Sequence, residues 1–516
     1  LILGLYFERD LVSRTFREIK TLRPVNAISL AIVILAFSAT AIYQFGLIPR
    51  YDAGLYYADY AVGVQSFDFS VLSFIRGFIV WSHPIHGVAL FTAVGEFFAP
   101  ERVIGTYIMT LILSDFTIVL FYRLLKILIP KIHPIMAALG AGMFAFMPFM
   151  AGMFAYFNPD YYMILFFVWV IFSYAQGYPI LTCFAGFLLL FTKETGGLLY
   201  VFFIGICVLL RFSSAKGTAL RARIKTAAPL GSLLLWIAPV FTLMPFLSHA
   251  KEWALIHNGL PLYETGGILE SFYFDPVYFI SRLYQFLIMS FRWIPVAILL
   301  VVMIVSTLPS RRIKSRPVFS KDGSYICSGI AFSTLIYALV LSYLVSGLCP
   351  RYTGAAGIGL TIACIAGIDY LFSSHRLQII FASFVLILSV AQTFVTVDPL
   401  MTMYLHGVWL GKSTVYQATI PEYESQWQNC VGDTYCYNLS YSLYDDLSNR
   451  LLAEIQPNSK DVLYLEDVYF YELHLFGMQN QIYWNTREKI RTYDGKDTDS
   501  IYVWVDSIYN GNTDMN

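Results

Sequence analysis

Residues 26–48, NAISLAIVILAFSATAIYQFGLI, carry no charge. The chain then turns polar at Pro49-Arg50-Tyr51-Asp52-Ala53-Gly54-Leu55-Tyr56-Tyr57-Ala58-Asp59-Tyr60. An uncharged run of this length is enough to cross the hydrocarbon layer of a bilayer. The segment after it, residues 49–102, is too long for a simple connector and too aromatic for disorder. It includes Asp52, Asp59, Asp68, Glu96 and Glu101 beside apolar helices. Carboxylates set against a bilayer are costly and are better explained by a task than by packing.

Composition agrees. Of 516 residues, 57% are hydrophobic and only 13% charged; soluble domains carry about 25% charged residues. Repeated apolar runs predict a polytopic α-helical membrane protein with about 11 transmembrane helices. The spans fall near 26–48, 103–122, 134–157, 161–177, 178–192, 196–211, 227–248, 285–308, 324–348, 355–371 and 377–397. Arg9, Arg14, Arg17, Lys20 and Arg23 precede the first span without a cleavable signal, so residues 1–25 read as a cytoplasmic leader. With that orientation, the cytoplasmic segments hold 19 of the 34 basic residues. The positive-inside rule is satisfied. The region from Asp398 onward holds 17 of the 34 acids, on the opposite side.

The transmembrane domain thus covers 26–397, with its first outer loop at 49–102. Residues 398–516 read as a small extracytoplasmic α/β domain. Strand-like pieces occur at 462–465, 468–471 and 501–505 after a helix-like stretch at 443–455. Cys430 and Cys436 lie close enough in that tail for a small disulfide in an oxidising compartment. The single sequon at Asn438 in a long acidic tail favours a bacterial plasma membrane over an ER lumen. There is no Walker or GxGxxG signature and no basic nucleic-acid patch.

Topology sorts the unusual residues. Asp52, Asp160, Lys193-Glu194, the loop 249–284 and Arg351 all fall on the non-cytoplasmic face. Asp52, directly after the first span, suits a general base for an acceptor hydroxyl; the competing role is an N-cap for the segment from Ala53. Asp59, seven residues on, assists it or is merely solvated. In Asn158-Pro159-Asp160, the aspartate suits a second active-site acid holding substrate or a divalent ion, or else it caps the fourth span. Lys193 and Arg351 suit the phosphate of a lipid, with Lys193 alternatively pairing with Glu194 or snorkelling. His83, in His83-Pro84-Ile85-His86, suits a phosphate or sugar contact, or a helix start. The two histidines lack the further ligands of a strong metal motif.

Several of these elements occur together in one known superfamily. Asp52 with Tyr56 four residues later, and His83-Pro84 ahead of the second span, resemble the GT-C superfamily of polyprenyl-phosphate-sugar-dependent glycosyltransferases. The closest branch contains protein mannosyltransferases and the lipid A aminoarabinose transferase. Leu190-Phe191-Thr192-Lys193-Glu194-Thr195-Gly196 resembles that branch's Leu-Thr-Lys element, and Arg351-Tyr352 its late Arg-Tyr element. Many members have Asp-Glu where this chain has Asp52-Ala53, and His-Pro-Pro where it has His83-Pro84-Ile85.

The resemblance implies a GT-C-like fold over about residues 26–397 and a polyprenyl-phosphate-linked sugar as donor. The acceptor would be a glycan, lipid or protein, with no nucleic acid involved. Asp52 and Asp160 are then the expected catalytic residues. Arg351, Lys193 and His83 face the donor phosphate, and Asp59, Tyr56 and Glu194 support them. No cofactor is required by these motifs; a divalent metal is the one candidate. The alternative reading is a lipid-linked saccharide flippase or exporter without catalysis, which would carry ionisable groups in mid-span.

Overall fold

The computed structural model describes residues 24–46, 86–99, 103–154, 157–214, 276, 279–280, 283, 292–307, 318–344, 354–394, 462–465, 481–486, 489–490 and 501–504. Within them the chain forms α1 (Pro24–Tyr43), α2 (His86–Phe98), α3 (Val103–Leu128), α4 (Pro134–Ala145), the short α5 (Pro148–Ala151) and α6 (Pro159–Ala175). It continues with α7 (Pro179–Leu190), α8 (Glu194–Ser214), α9 (Trp293–Thr307), α10 (Lys321–Leu344), α11 (Gly354–Leu371) and α12 (His375–Phe394).

Among the described residues, four segments are long and apolar enough to cross a membrane: Ile104–Leu128, Thr195–Ser213, Lys321–Ser342 and Gly354–Leu371. Six shorter apolar helices accompany them among the described residues. The protein is a multi-pass membrane protein built of apolar helices. The expected span at 227–248 lies outside the described residues. The run expected as one span at 134–157 is divided, because α4 ends at Ala145 and a separate turn, α5, comes after it. Part of the expected outer loop, residues 86–98, is the helix α2, which packs on α3 and α7.

Helix boundaries reflect backbone chemistry. α4, α6 and α7 each begin with proline at the first helical position, where its missing N–H costs nothing. His133 caps α4, its Nδ1 accepting from the Ile135 N–H at 3.3 Å. α6 stops at Gln176-Gly177, where Gly177 takes φ 73° and the Tyr178 N–H returns to the Ser173 carbonyl at 3.0 Å. Left-handed backbone of that kind is cheap for glycine alone.

α6 is the axis of the bundle. Nearly every residue from Pro159 to Tyr174 is buried, so it is apolar all round rather than striped. Three of its polar groups bond sideways to α3. Tyr162 OH pairs with Thr110 Oγ1 at 2.7 Å, Tyr161 OH with Ser114 Oγ at 2.6 Å, and Trp169 Nε1 donates to Thr117 Oγ1 at 2.8 Å. α1 joins α3 through Ser38 Oγ, which donates to Asp115 Oδ2 at 2.9 Å.

Arg123 lies 5.2 Å over the Phe172 ring and Arg211 4.6 Å over Tyr174. The C-terminal ends of α3, α6 and α8 therefore lie together. The N-termini of α6 and α8 consequently share the opposite end.

The described residues from 462 onward form a four-stranded sheet in the order β3-β2-β1-β4: β1 (Val462–Leu465), β2 (Gln481–Thr486), β3 (Lys489–Ile490) and β4 (Ile501–Trp504). β1 runs parallel to β2 and β4, with Val462 opposite Gln481 and Ile501, while β3 is antiparallel to β2. The expected strands at 462–465 and 501–505 are present as β1 and β4; 468–471 lies outside the described residues.

Candidate active site

At the N-terminus of α6 the chain passes through Phe157, whose φ of 46° is left-handed, and then Asn158 at φ −71° and ψ 141°. That extended backbone lets Asn158 act as N-cap: its Oδ1 accepts the Asp160 N–H at 2.9 Å. Capping was the structural role open to Asp160, and Asn158 performs it instead. The Asp160 carboxylate is left to point elsewhere, and it is fully buried.

Its partner comes from the turn between α7 and α8. Lys193 Nζ donates to Asp160 Oδ1 at 2.7 Å and Oδ2 at 2.8 Å, and the lysine is only 8% exposed. Each charge alone would pay a large desolvation cost; the two-pronged contact offsets it. The positive end of the α6 macrodipole also favours a carboxylate in its first turn. The sequence offered Lys193 a pairing with Glu194 or a snorkelling role. The structure gives it a carboxylate 33 positions away.

The turn carrying Lys193 is itself fixed. Thr192 Oγ1 donates to the Leu188 carbonyl at 2.6 Å, and the Gly196 N–H to the Lys193 carbonyl at 2.9 Å. From outside, the first turn of α2 closes on it, the Gly87 N–H donating to the Phe191 carbonyl at 2.6 Å. A Cβ at Gly87 would run into the Leu188 carbonyl and meet Thr192 Oγ1 at 2.7 Å, so only glycine allows this approach. The helix that begins at His86 is thereby docked two residues before Lys193.

Of the predicted site residues, the structure brings Asp160 and Lys193 together. Glu194 opens α8 beside them. Asp52, Tyr56, Asp59, His83 and Arg351 lie outside the described residues. Asn158, singled out only as part of a span end, emerges as the cap that frees the Asp160 carboxylate. Asn-Pro before an apolar run was the available signal. Among the described residues no group of three or more His, Cys, Asp or Glu stands close enough to hold a metal ion, and both Asp160 oxygens face an ammonium. Within the long helices, the Asp115 carboxylate is bonded by Ser38, and Asp369 Oδ1 accepts from Gln378 Nε2 at 3.1 Å.

The chain matches no family model, and no curated protein matches it. Among solved structures it is similar to the apo form of the Archaeoglobus fulgidus oligosaccharyltransferase, at 12% identity and TM-score 0.43 over 78% of this chain and 59% of that one. It is also similar to ArnT from Cupriavidus metallidurans bound to undecaprenyl phosphate, at 12% identity and TM-score 0.45 over 89% and 85% of the two chains. The same oligosaccharyltransferase in complex with Zn and sulfate aligns at 11% identity and TM-score 0.40, over 77% and 56%. The chain spans less than three fifths of the length of either oligosaccharyltransferase structure. These likenesses carry no information about this chain's chemistry.

Proposed function

We propose that the protein is an integral membrane glycosyltransferase that moves a monosaccharide from a polyprenyl-phosphate donor to a glycan, lipid or protein acceptor on the non-cytoplasmic face. The observation that carries this reading is the buried Asp160–Lys193 pair at the shared end of α6 and α8. That end is opposite the one bearing Arg123 and Arg211. The positive-inside rule favours the cytoplasm for the basic end, which supports an outer position for the pair. The order of the Asp52, His83-Pro84, Lys193 and Arg351 motifs supports the same reading.

In this reading Asp52 accepts the proton of the acceptor hydroxyl as its oxygen attacks the anomeric carbon. The bond from that carbon to the phosphate oxygen breaks, and polyprenyl phosphate leaves with the bonding electrons. A single displacement inverts the anomeric configuration. Arg351 and His83 take the developing phosphate charge. Lys193 is committed to Asp160 and orders the site's wall, which leaves the phosphate charge to Arg351 and His83. Tyr56, Asp59 and Glu194 are supporting residues in this reading. No step requires a metal.

The competing reading, an exporter of lipid-linked saccharides, needs ionisable groups available along the spans. The carboxylate inside α11, Asp369, accepts a hydrogen bond from Gln378, which favours the transferase. The deciding experiment measures sugar release from radiolabelled polyprenyl-phosphate monosaccharides by purified protein. Wild type should consume donor and Asp52→Asn should not, although it still binds lipid. Equal turnover by the two proteins would overturn Asp52 as base. No consumption by wild type across hexose and pentose donors would favour the exporter.

A further inference from the structure

Beside the ion pair, one buried polar group is left over. Asn158 is 1% exposed, and its Nδ2 is buried without a hydrogen-bond partner among the described residues. The identity of that atom is fixed by its twin, because Oδ1 must be the acceptor of the Asp160 N–H. A carboxamide NH2 shielded from water and without a partner is rare in folded proteins and calls for a functional explanation. It lies at the N-terminus of a 17-residue helix, two residues from a buried carboxylate.

Resting on the transferase reading above, we propose that Asn158 Nδ2 donates to a hydroxyl oxygen of the sugar carried by the lipid donor, making Asn158 a specificity-determining residue. The surroundings favour a neutral oxygen over a phosphate. The Asp160 and Lys193 charges cancel, whereas a phosphate needs a cation not already committed to a carboxylate. A sugar hydroxyl has the complementary pattern. It accepts from the amide and offers its own proton to the Asp160 carboxylate. A site built to bond a hydroxyl discriminates strongly against an analogue lacking it, because the buried donor is then stranded.

The test measures equilibrium binding of three probes to the full chain in nanodiscs: polyprenyl phosphate, polyprenyl-phosphate monosaccharides, and their deoxy counterparts. Wild type is compared with Asn158→Ser, which still caps α6 but has lost the N–H donor. Asn158→Asp, a second capping residue without the donor, guards against a folding artefact. Wild type should prefer sugar-bearing over bare lipid, and both variants should lose about tenfold of that preference. Bare-lipid affinity should not change, and one deoxy sugar should bind wild type and variants alike. The proposal is overturned if wild type shows no such preference, if the variants keep it, or if bare lipid loses affinity to the same extent. If the preference exists and falls in the variants while wild type transfers no sugar, the contact stands and the transferase reading fails.

Discussion

The Asp160–Lys193 pair makes a quantitative claim about stability. Asp160 is fully buried and meets the ammonium through both oxygens, at 2.7 and 2.8 Å. Lys193→Met leaves a buried carboxylate without its counter-charge, and Asp160→Asn leaves a buried ammonium. Removing one partner of a buried pair costs about 3–5 kcal/mol, whereas replacing both by neutral groups of similar volume is often close to neutral. Taking about 3 kcal/mol for each single variant, Asp160→Asn/Lys193→Met should lose only about 1 kcal/mol. The coupling between the sites is then about 5 kcal/mol. Equilibrium unfolding by a denaturing detergent, run on all four proteins at one pH, reads these differences directly. The inference is refuted if the double variant loses the sum of the two singles, about 6 kcal/mol. Sugar transfer supplies an independent readout. The double variant should regain stability without regaining turnover, since a pair serving only the fold would recover both.

Gly87→Ala should push α2 away from Lys193, because the new methyl meets the Leu188 carbonyl and Thr192 Oγ1. A fall of at least tenfold in donor turnover is expected, and unchanged turnover would show that this docking is irrelevant to the site. Tyr161→Phe deletes one hydrogen bond between α6 and α3, but Ser114 keeps its bond to the Thr110 carbonyl. The loss should be about 0.6 kcal/mol by detergent unfolding, and a loss above about 2 would mean that the tyrosine holds more than this seam. His133, in the turn before α4, is pushed below its ordinary value of 6.5 by partial burial and then by His375, whose ring lies 5.2 Å away. The unfolded chain therefore binds more protons there than the folded one. Its contribution is complete above pH 6.5 and is lost as pH falls through the lower folded value. His133→Asn keeps a cap but removes the titration, so its thermal midpoint should fall less than wild type's between about pH 6.5 and 5. Parallel curves would exclude His133 as a source of acid sensitivity.

Much of the helical layout was legible locally. Apolar runs marked α6, α7, α11 and α12 to within about three residues, since length and hydropathy are properties of the segment itself. The break after Ala145 was not. The run from 134 to 157 stays apolar throughout, and hydropathy does not register a local change of backbone direction. Nor was α2 distinguished from the outer loop, because its 13 residues are too few to read as a span. At the site, the sequence named Asp160 and Lys193 separately, each with a local partner in view. Their actual pairing joins residues 33 apart, and no periodicity encodes that distance. The role of Asn158 was readable in principle, since asparagine before proline is a strong cap signal. The stranded state of its amide depends on what packs around it, and only the fold supplies that.

The contact between Asp160 and Lys193 also bears on how the chain is made. It closes residues 160–193, which include all of the α6–α7 hairpin past its first residue, into a ring that cannot form until both helices and the next turn have left the insertion machinery. Before then, the carboxylate and the ammonium each carry a full charge next to an apolar segment. Once they meet, they form a dipole with no net charge. Residues 159–194 should therefore enter the bilayer as one unit, with α8 inserting only after that ring has closed.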